Sequence, residues 1–156
     1  MKTRFMSVPI VALITTFVLS QGAMSDSPDK KNPVSGKEII SIYNGKTWIW
    51  SKGGSYWGGG GKFEAIWKED SVGIGKWYAT SGGSLCYEAV WKSKPEDDGA
   101  EVKRCWKHAK DSEGILWKQD PETKDWYKPA KEIAERVKSG NKIKSKVRKR
   151  RKKVGL

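Results

Sequence analysis

Hydrophobic and polar residues alternate along most of this 156-residue chain, from Gly45 to about residue 128. The alternating runs are short, and Gly, Ser, Asp or Pro residues separate them, as at 58–61 and 120–123. A period of two with turn residues at short, regular intervals is typical of antiparallel strands joined in a meander. The predicted strands are 46–50, 55–58, 62–68, 73–80, 84–91, 100–107, 113–119 and 124–128.

Two helices flank the predicted strands. Ser35 and Glu38 form a capping-box pattern before an apolar run, and Asn44 with Gly45 then ends a helix over 36–43. A second helix is predicted at Pro129. The predicted regions are 1–25, a leader 26–35, a β-rich domain 36–128, a helix 129–138 and a tail 139–156. The predicted fold class is all-β: an antiparallel meander that forms a small lipocalin-like barrel or a strongly curved sheet, with a short N-terminal helix, a short C-terminal helix and a disordered basic tail.

The first 25 residues have the three-part pattern of a secretory signal peptide. Lys2 and Arg4 make a basic start, an apolar run follows over 5–19, and small residues come next. The apolar run is shorter than the roughly 20 residues that a membrane-spanning helix needs. We therefore expect a signal peptide that is cleaved after Gly22 or Ser25, and a periplasmic or secreted protein.

The chain has two cysteines, Cys86 and Cys105. An even number of cysteines outside a C-x-x-C pair, in an exported chain, indicates a structural disulfide. Two Cys and one His are too few soft ligands for a zinc site, and we expect neither a metal nor a cofactor. If the two strands pair around a turn at 95–96, Cys86 faces Cys105 and Leu85 faces Trp106. This register puts the apolar side chains on one face, predicted to point inward, and the disulfide on the other.

Most of the net charge of +13 lies at the end of the chain. Residues 138–156 contain ten Lys or Arg and no acid, whereas 26–137 has 19 basic and 18 acidic residues. A segment with so many like charges and few bulky apolar residues is expected to be disordered alone.

The basic tail is either a solvated segment or a polyanion-binding one. The candidate binding residues are Lys144, Lys146, Arg148, Lys149, Arg150, Arg151, Lys152 and Lys153. For an exported protein the expected partners are anionic lipid, lipopolysaccharide or acidic polysaccharide, because each Lys or Arg near an anionic membrane contributes about 1 kcal/mol. Nucleic acid is the less favoured polyanion, because export takes the chain away from it.

Nine tryptophans are spread along the chain, nearly one per predicted strand. Leu and Phe are scarce, so most of these tryptophans are expected to fill the core. Tyr56 and Trp57 are the exception in this interpretation, because glycines at 53–54 and 58–61 flank them. We expect this pair to form an aromatic ligand-binding platform at an exposed mouth.

The sequence contains no pattern that indicates a catalytic site. His108 is the single histidine, and no nucleophile-elbow motif accompanies it. The glycine-rich stretches lack the Gly-x-x-x-x-Gly-Lys-Ser/Thr arrangement and do not open a helix. We therefore expect no catalytic residues and a protein that is not an enzyme.

An ordered set of short motifs resembles a known family. The set consists of Gly45-Lys-Thr-Trp48-Ile-Trp50, Gly61-Lys-Phe63, Gly75-Lys-Trp77, Gly83-Ser-Leu-Cys86, Trp91 at a strand end and Cys105-Trp-Lys-His108. In this order they resemble the bacterial domain-of-unknown-function family 995 over roughly 37–128. The resemblance implies a small exported envelope protein of a Gram-negative bacterium with a β-rich fold. It also implies a structural hydrogen bond for His108, and it does not include the basic tail.

These observations predict a non-enzymatic envelope protein that binds an anionic envelope component through its basic tail. Besides a hydrolase, which is the least favoured interpretation, two alternatives remain open at this point. One is a lipocalin-like carrier of a small apolar ligand, which needs an open, apolar lumen. The other is an inhibitor or interaction module that acts on an envelope enzyme through exposed loops such as 93–99.

Overall fold

Nine strands and three helices make up the part of the chain that the computed structural model describes, residues 28–29 and 32–156. The helices are α1 (Gly36–Tyr43), α2 (Ala130–Arg136) and α3 (Lys144–Val154). The strands are β1 (Lys46–Trp50), β2 (Gly53–Trp57), β3 (Lys62–Trp67), β4 (Ser71–Ala79), β5 (Ser84–Lys92), β6 (Ala100–Lys110), β7 (Leu116–Gln119), β8 (Trp126–Tyr127) and β9 (Val137–Ser139). A 3₁₀ turn at Gly59–Gly61 joins β2 to β3.

The strands form one antiparallel sheet in the order β8-β7-β6-β5-β4-β3-β2-β1-β9. Strands β1 to β8 are the predicted meander, and β9 returns to pair with β1. Within the described ranges β8 and β9 are not hydrogen-bonded to each other, so the sheet is not closed into a barrel. The predicted barrel is therefore corrected to an open sheet, because β8 is only two residues long and β9 pairs on its other side.

The open sheet is nevertheless strongly curved. The Nζ atom of Lys118 on β7 lies 3.2 Å from the ring centroid of Trp48 on β1. These two strands are separated by five others, which in a flat sheet would put them roughly 29 Å apart. The inner surfaces of the two ends of the sheet therefore meet.

The predicted hairpin between β5 and β6 is confirmed. Cys86 pairs with Cys105 and Leu85 with Trp106, in the register that the apolar pattern indicated. The two cysteines form a disulfide with an S–S distance of 2.06 Å. Because Leu85 is completely buried among the core aromatics, the apolar face points inward and the disulfide lies on the outer face.

Large rings and very small residues alternate on the inner face. Gly73 pairs with Trp91 across β4 and β5. A Cβ atom on Gly73 would lie 2.5 Å from the Trp91 ring, so the ring lies directly on the glycine backbone. Gly75 is equally constrained, because a Cβ there would lie 1.9 Å from the carbonyl oxygen of Glu88. Only glycine at these positions lets the sheet curve around its tryptophans.

Helix α1 packs against one end of the curved sheet. Its predicted limits are confirmed, and Ser35 caps it by accepting a hydrogen bond from the Glu38 backbone N–H. The apolar side of the helix buries Ile39 and Tyr43 completely. Tyr43 contacts the rings of Trp48 and Trp57, so α1 is part of the main core.

The tail differs from the prediction. Residues 137–139 form β9 and 144–154 form α3, so the predicted helix at 129–138 is shortened to α2 and the predicted disordered tail is corrected to a strand and a helix. Val147 and Val154 are buried against Ile66 and Val72 on the outer face of β3 and β4. The few apolar residues of the tail therefore fall on one face of the helix and cover an apolar patch of the sheet.

The predicted signal peptide at 1–25 lies outside the described residues, as does part of the predicted leader at 26–35. Among the residues that the structure describes, no helix has the length and apolar character required to cross a membrane.

Candidate functional site

Tyr56 and Trp57 do not form the predicted platform. They are adjacent on β2, and adjacent strand residues point to opposite faces of a sheet. Tyr56 lies on the outer face, where it packs against the patch that α3 covers. Trp57 points inward and has no exposed surface. The prediction that the pair stands at an exposed mouth is therefore wrong, because the flanking glycines bend the chain without exposing the ring.

Trp57 lies at the centre of a ring cluster in the core. Its ring centroid is 5.1 Å from that of Phe63, 5.9 Å from that of Trp77 and 6.2 Å from that of Trp106. The rings meet edge to face, the arrangement that favours contact between the positive edge of one ring and the negative face of the next. This confirms the expectation that tryptophan supplies much of the core volume.

Above this cluster the inner face opens into a cavity of about 640 Å³, here called the tryptophan cavity. Its walls come from β1, β2, β3, β5 and β6, and six indole rings line it: Trp48, Trp50, Trp57, Trp67, Trp91 and Trp106. Trp67 stands at the open end and is 38% exposed, whereas Trp57 lies at the closed end. The cavity is in the size range of ligand pockets in proteins, about 300–1,000 Å³.

Several polar atoms in the wall of the tryptophan cavity are buried and unpaired. The indole N–H groups of Trp48, Trp50 and Trp57 and the hydroxyl of Ser55 have no hydrogen-bond partner among the residues that the structure describes. Trp48, Trp57 and Ser55 are each more than nine-tenths buried. An unpaired buried donor costs about 1–3 kcal/mol. These atoms have almost no accessible surface, so they lie behind the cavity wall and are not exposed to the cavity.

The rim of the tryptophan cavity is polar and carries both signs of charge. Arg104 projects from the inner face of β6, and its Nη2 atom lies 2.9 Å from a carboxylate oxygen of Glu122. Asp120 lies beside this pair and accepts hydrogen bonds from the backbone N–H groups of Thr123 and Glu122. These two hydrogen bonds hold the pKa of Asp120 below its usual range, so the carboxylate is ionised.

A buried ion pair, which the sequence did not indicate, connects the two ends of the sheet. Lys118 of β7 is fully buried, and its Nζ atom lies 2.9 Å from a carboxylate oxygen of Glu132 on α2. The same ammonium group lies over the ring of Trp48, and Tyr127 donates a hydrogen bond to the other oxygen of Glu132. Burial lowers the pKa of Lys118 to about 8, although the charge of Glu132 acts in the opposite direction. Lysine and glutamate are so frequent in the sequence that this particular pair could not be predicted from it.

His108 is buried beside this ion pair, with both ring nitrogens in hydrogen bonds. Its Nδ1 atom lies 3.1 Å from the carbonyl oxygen of Trp106, to which it donates. Nε2 therefore accepts from the hydroxyl of Tyr43, at 3.1 Å. Burial, and then the positive charge of Lys118, lower the pKa of His108 to about 4, so the imidazole is neutral at pH 7. In the described ranges no group of three or more His, Cys, Asp or Glu side chains is placed to hold a metal ion.

The predicted polyanion-binding residues divide into two sets on α3. Two residues face the protein: Arg150 and Arg151 are partly buried. Arg150 donates to the carbonyl oxygens of Trp67, Lys68 and Ser71 at 3.2, 2.7 and 2.8 Å, and so holds the helix against the turn between β3 and β4. The remaining six are exposed: Lys144, Lys146, Arg148, Lys149, Lys152 and Lys153. None of these six forms an ion pair within the part of the chain that the structure describes.

The segment before α3 fixes the position of the helix. Thr47 is completely buried; its hydroxyl donates to the carbonyl of Gly140 and accepts from the backbone N–H of Lys142. The side chain of Asn141 donates to Glu64 at 2.8 Å. Because these contacts come before the first helical turn, α3 begins from an anchored point on the sheet.

Between α3 and the sheet lies a cleft of about 750 Å³, here called the cationic cleft. Five basic residues line it, with Glu69 as the one acid: Lys52, Lys68, Lys142, Lys146 and Arg150. Lys52 and Lys68 come from strand turns far away in sequence, so the cationic surface is larger than the tail itself. The sequence did not indicate this extension, because it depends on where α3 docks.

The sequence matches, over residues 11–150, the family described as "Protein of unknown function (DUF995)". No curated protein and no solved structure matches the chain. The family match extends to Arg150, and this corrects the expectation that the basic tail lies outside the family pattern. It includes all the strands and the part of α3 that contains the anchoring arginine. The resemblance seen in the sequence motifs is therefore confirmed, and the chain belongs to the DUF995 family.

Proposed function

We propose that this protein is an exported, non-enzymatic envelope protein that adheres to phosphate-bearing surfaces through α3 and the cationic cleft. One observation carries the proposal: six exposed basic residues, none of them in an ion pair among the residues that the structure describes, project from a helix whose apolar residues are buried in the protein. The binding face is therefore preformed, and less conformational entropy is lost on binding than with a flexible tail.

Export to the periplasm or beyond is part of the same proposal. The disulfide between Cys86 and Cys105 supports it, because such bonds persist in oxidising compartments. N-terminal sequencing of protein purified from its native host tests it. We expect cleavage after Gly22 or Ser25 and no free thiol; an intact N-terminus in the cytosolic fraction would contradict export.

The expected ligands are the phosphate groups of anionic lipid or of lipopolysaccharide. The exposed cations of α3 lie close together, and lysine and arginine near an anionic membrane each contribute about 1 kcal/mol. The contributions fall off within a Debye length of about 8–10 Å at physiological salt, so binding must weaken as salt is added. Acidic polysaccharide offers carboxylates instead of phosphates and serves as the comparison.

A charge-matched pair of variants tests the adhesion. One variant carries Arg148→Gln, Lys149→Gln, Lys152→Gln and Lys153→Gln; its control carries Lys37→Gln, Lys94→Gln, Lys107→Gln and Lys131→Gln, at four other exposed positions. We expect the α3 variant to bind phosphatidylglycerol vesicles about tenfold more weakly or worse at low salt, and the control to bind nearly as well as the unmodified protein.

Vesicle cosedimentation is repeated with lipopolysaccharide and with alginate, an acidic polysaccharide. Stronger binding to the two phosphate-bearing ligands than to alginate supports phosphate recognition. Equal losses in the α3 variant and the control would show that net charge alone is responsible, and would overturn the role of α3.

A further inference from the structure

Two large apolar side chains are exposed at one end of the sheet, here called the turn end (residues 49–52 and 67–70). Ile49 lies near the end of β1 and is 37% exposed, and Trp67 is the last residue of β3 and is 38% exposed. We propose that the turn end inserts into an anionic phospholipid bilayer, with Trp67 and Ile49 between the headgroups and the upper acyl chains. This inference rests on the proposed adhesion and names the part of the protein that enters the membrane.

The first argument is the geometry of the turn end. The β1–β2 turn and the β3–β4 turn lie side by side, because the backbone N–H of Lys68 donates to the carbonyl oxygen of Lys52 at 2.7 Å. The ring centroids of Trp67 and Trp50 are 6.4 Å apart on the inner side of the sheet. Ile49 projects from the outer side, where it lines the cationic cleft. Both sides of one narrow end therefore carry apolar surface, and a bilayer that the turn end enters would contact both.

The second argument is the charge around these side chains. Four exposed lysines lie in the turns or line the adjoining cationic cleft: Lys52, Lys68, Lys142 and Lys146. Glu69 and Asp70 are the acids of the turn end, so positive charge predominates. A lysine can extend its ammonium group to a lipid phosphate while its methylene groups stay in apolar contact. Apolar side chains surrounded by lysines therefore match the boundary between headgroups and acyl chains.

The third argument is that the other polyanions match less of this surface. A soluble polyphosphate or an acidic polysaccharide offers charge to the lysines but no apolar phase to Trp67 and Ile49. Tryptophan is also the residue that is enriched at membrane–water interfaces, because its ring is apolar with one polar edge. Further along the same end, Glu96 and Asp98 lie exposed between β5 and β6, so the inserted part is limited to the turns of β1 to β4.

A matched pair of isoleucines tests the location. Ile49 and Ile115 are each 37% exposed, but Ile115 lies between β6 and β7, at the opposite end of the antiparallel sheet. We expect Ile49→Ala to weaken binding to phosphatidylglycerol vesicles about fivefold and Trp67→Ala about tenfold, because less apolar surface leaves water. Ile115→Ala should bind as the unmodified protein does. Equal losses from Ile49→Ala and Ile115→Ala would overturn the proposal.

Ionic strength and a soluble ligand separate insertion from electrostatic adhesion. The loss of binding in the α3 charge variant should shrink as salt is added, because salt screens exposed charges. The loss in Trp67→Ala should stay about tenfold, because salt does not screen the transfer of apolar surface. Inositol hexakisphosphate has phosphates and no acyl chains, so it should bind Trp67→Ala and the unmodified protein equally. Equal weakening toward vesicles and toward this soluble ligand would overturn insertion.

Fluorescence quenching tests insertion in the unmodified protein. Vesicles of phosphatidylglycerol brominated on its acyl chains should quench part of the tryptophan emission, because Trp67 reaches the bromine atoms. Trp67→Phe should remove most of this quenching, since Trp57 and its neighbours stay inside the core. Unquenched emission from vesicle-bound protein would overturn insertion and leave the adhesion in place. Unchanged vesicle binding by the α3 charge variant would instead overturn the adhesion.

Discussion

Trp57 has the largest fully buried side chain in the described structure, and its surroundings are almost entirely aromatic. Phe63 and Tyr87 stack beside it with nearly parallel rings, 4.3 Å apart, and Tyr43 contacts it from α1. The side chains around it are rigid rings, which cannot change shape to fill the volume that a smaller residue would leave. The residue therefore acts as the centre around which strand and helix side chains are packed.

The first prediction concerns Trp57→Ala. We expect it to lower the free energy of unfolding by about 3–5 kcal/mol, because it leaves a large cavity between rings that cannot collapse. Trp67→Ala is the control. Because Trp67 is 38% exposed, this substitution should lower the free energy of unfolding by less than half as much. Urea denaturation measures both. Equal, small losses would show that Trp57 is not the centre of the core.

At the scale of the element, α3 illustrates how a charge-rich segment can be ordered. Its basic residues give it a mean hydropathy that is typical of disorder, yet Ile143, Val147 and Val154 fall on one side of it. An isolated helix of this length is marginal in water. These residues are buried against Ile66 and Val72, and Arg150 makes three hydrogen bonds to the sheet. Both contacts stabilise the helix, which would be only marginally stable alone.

The second prediction tests this docking with Val147→Asp. Val147 is 2% exposed and lies against Ile66 and Val72, and a carboxylate in this apolar contact would lose its hydration, so we expect α3 to leave the sheet. Hydrogen exchange should show lost protection in 144–154 and unchanged protection in β5 and β6. Ser145→Asp places the same charge on the exposed side and should retain protection in α3. Retained protection in Val147→Asp would contradict the docking.

At the scale of the whole molecule, side chains hold together the two ends of an open sheet. Lys118 on β7 contacts Trp48 on β1 and pairs with Glu132 on α2, the helix between β8 and β9. The charged groups facing Lys118 include Asp120 as well as Glu132, with His108 nearby. Because Lys118 is buried at this contact and its pKa is lowered, the stability of the contact between the two ends of the sheet depends on pH.

The third prediction is the direction of that dependence. The pKa of Lys118 is about 8 in the folded protein and 10.5 in the unfolded chain, so between these values the unfolded chain binds more protons. The free energy of unfolding should therefore rise with pH in this window, by about 2 kcal/mol between pH 7 and 9.5. Below pH 8 both states are protonated and this contribution is constant.

Urea denaturation at pH 7, 8.5 and 9.5 measures this rise in the free energy of unfolding. Lys118→Met preserves the length of the side chain and removes the titrating group, so its stability should not rise over the same range. Tyr43 and Tyr127, whose pKa values are raised above 10 by burial, act in the opposite direction, because the same tyrosines in the unfolded chain begin to ionise as the pH approaches 10. At pH 9.5 an unfolded tyrosine is only about a quarter ionised, so this loss is smaller than the gain from Lys118. A fall in stability of the unmodified protein over this window would contradict the assignment.

The local sequence determined the elements and their register because the signals for them are local. A capping box set the start of α1, alternation and glycine-rich turns set most strands, and the two cysteines fixed the β5–β6 pairing. It did not show which of Tyr56 and Trp57 points inward, or that β9 forms. The first depends on which face of the sheet α1 and the other core residues cover, and the second depends on a distant segment that reaches the free edge of β1.

Only the tertiary structure showed which residues come together in the candidate sites. The tryptophan cavity brings Trp48, Trp91 and Trp106 together from three strands, and the cationic cleft joins Lys52 and Lys68 to α3, which is distant from both in sequence. The sequence by itself determined a disulfide-linked antiparallel sheet rich in buried tryptophan, because alternation and turn chemistry act between neighbours. The curvature that makes a cavity, and the docking that orders a basic tail, arise from contacts between residues that are distant in sequence.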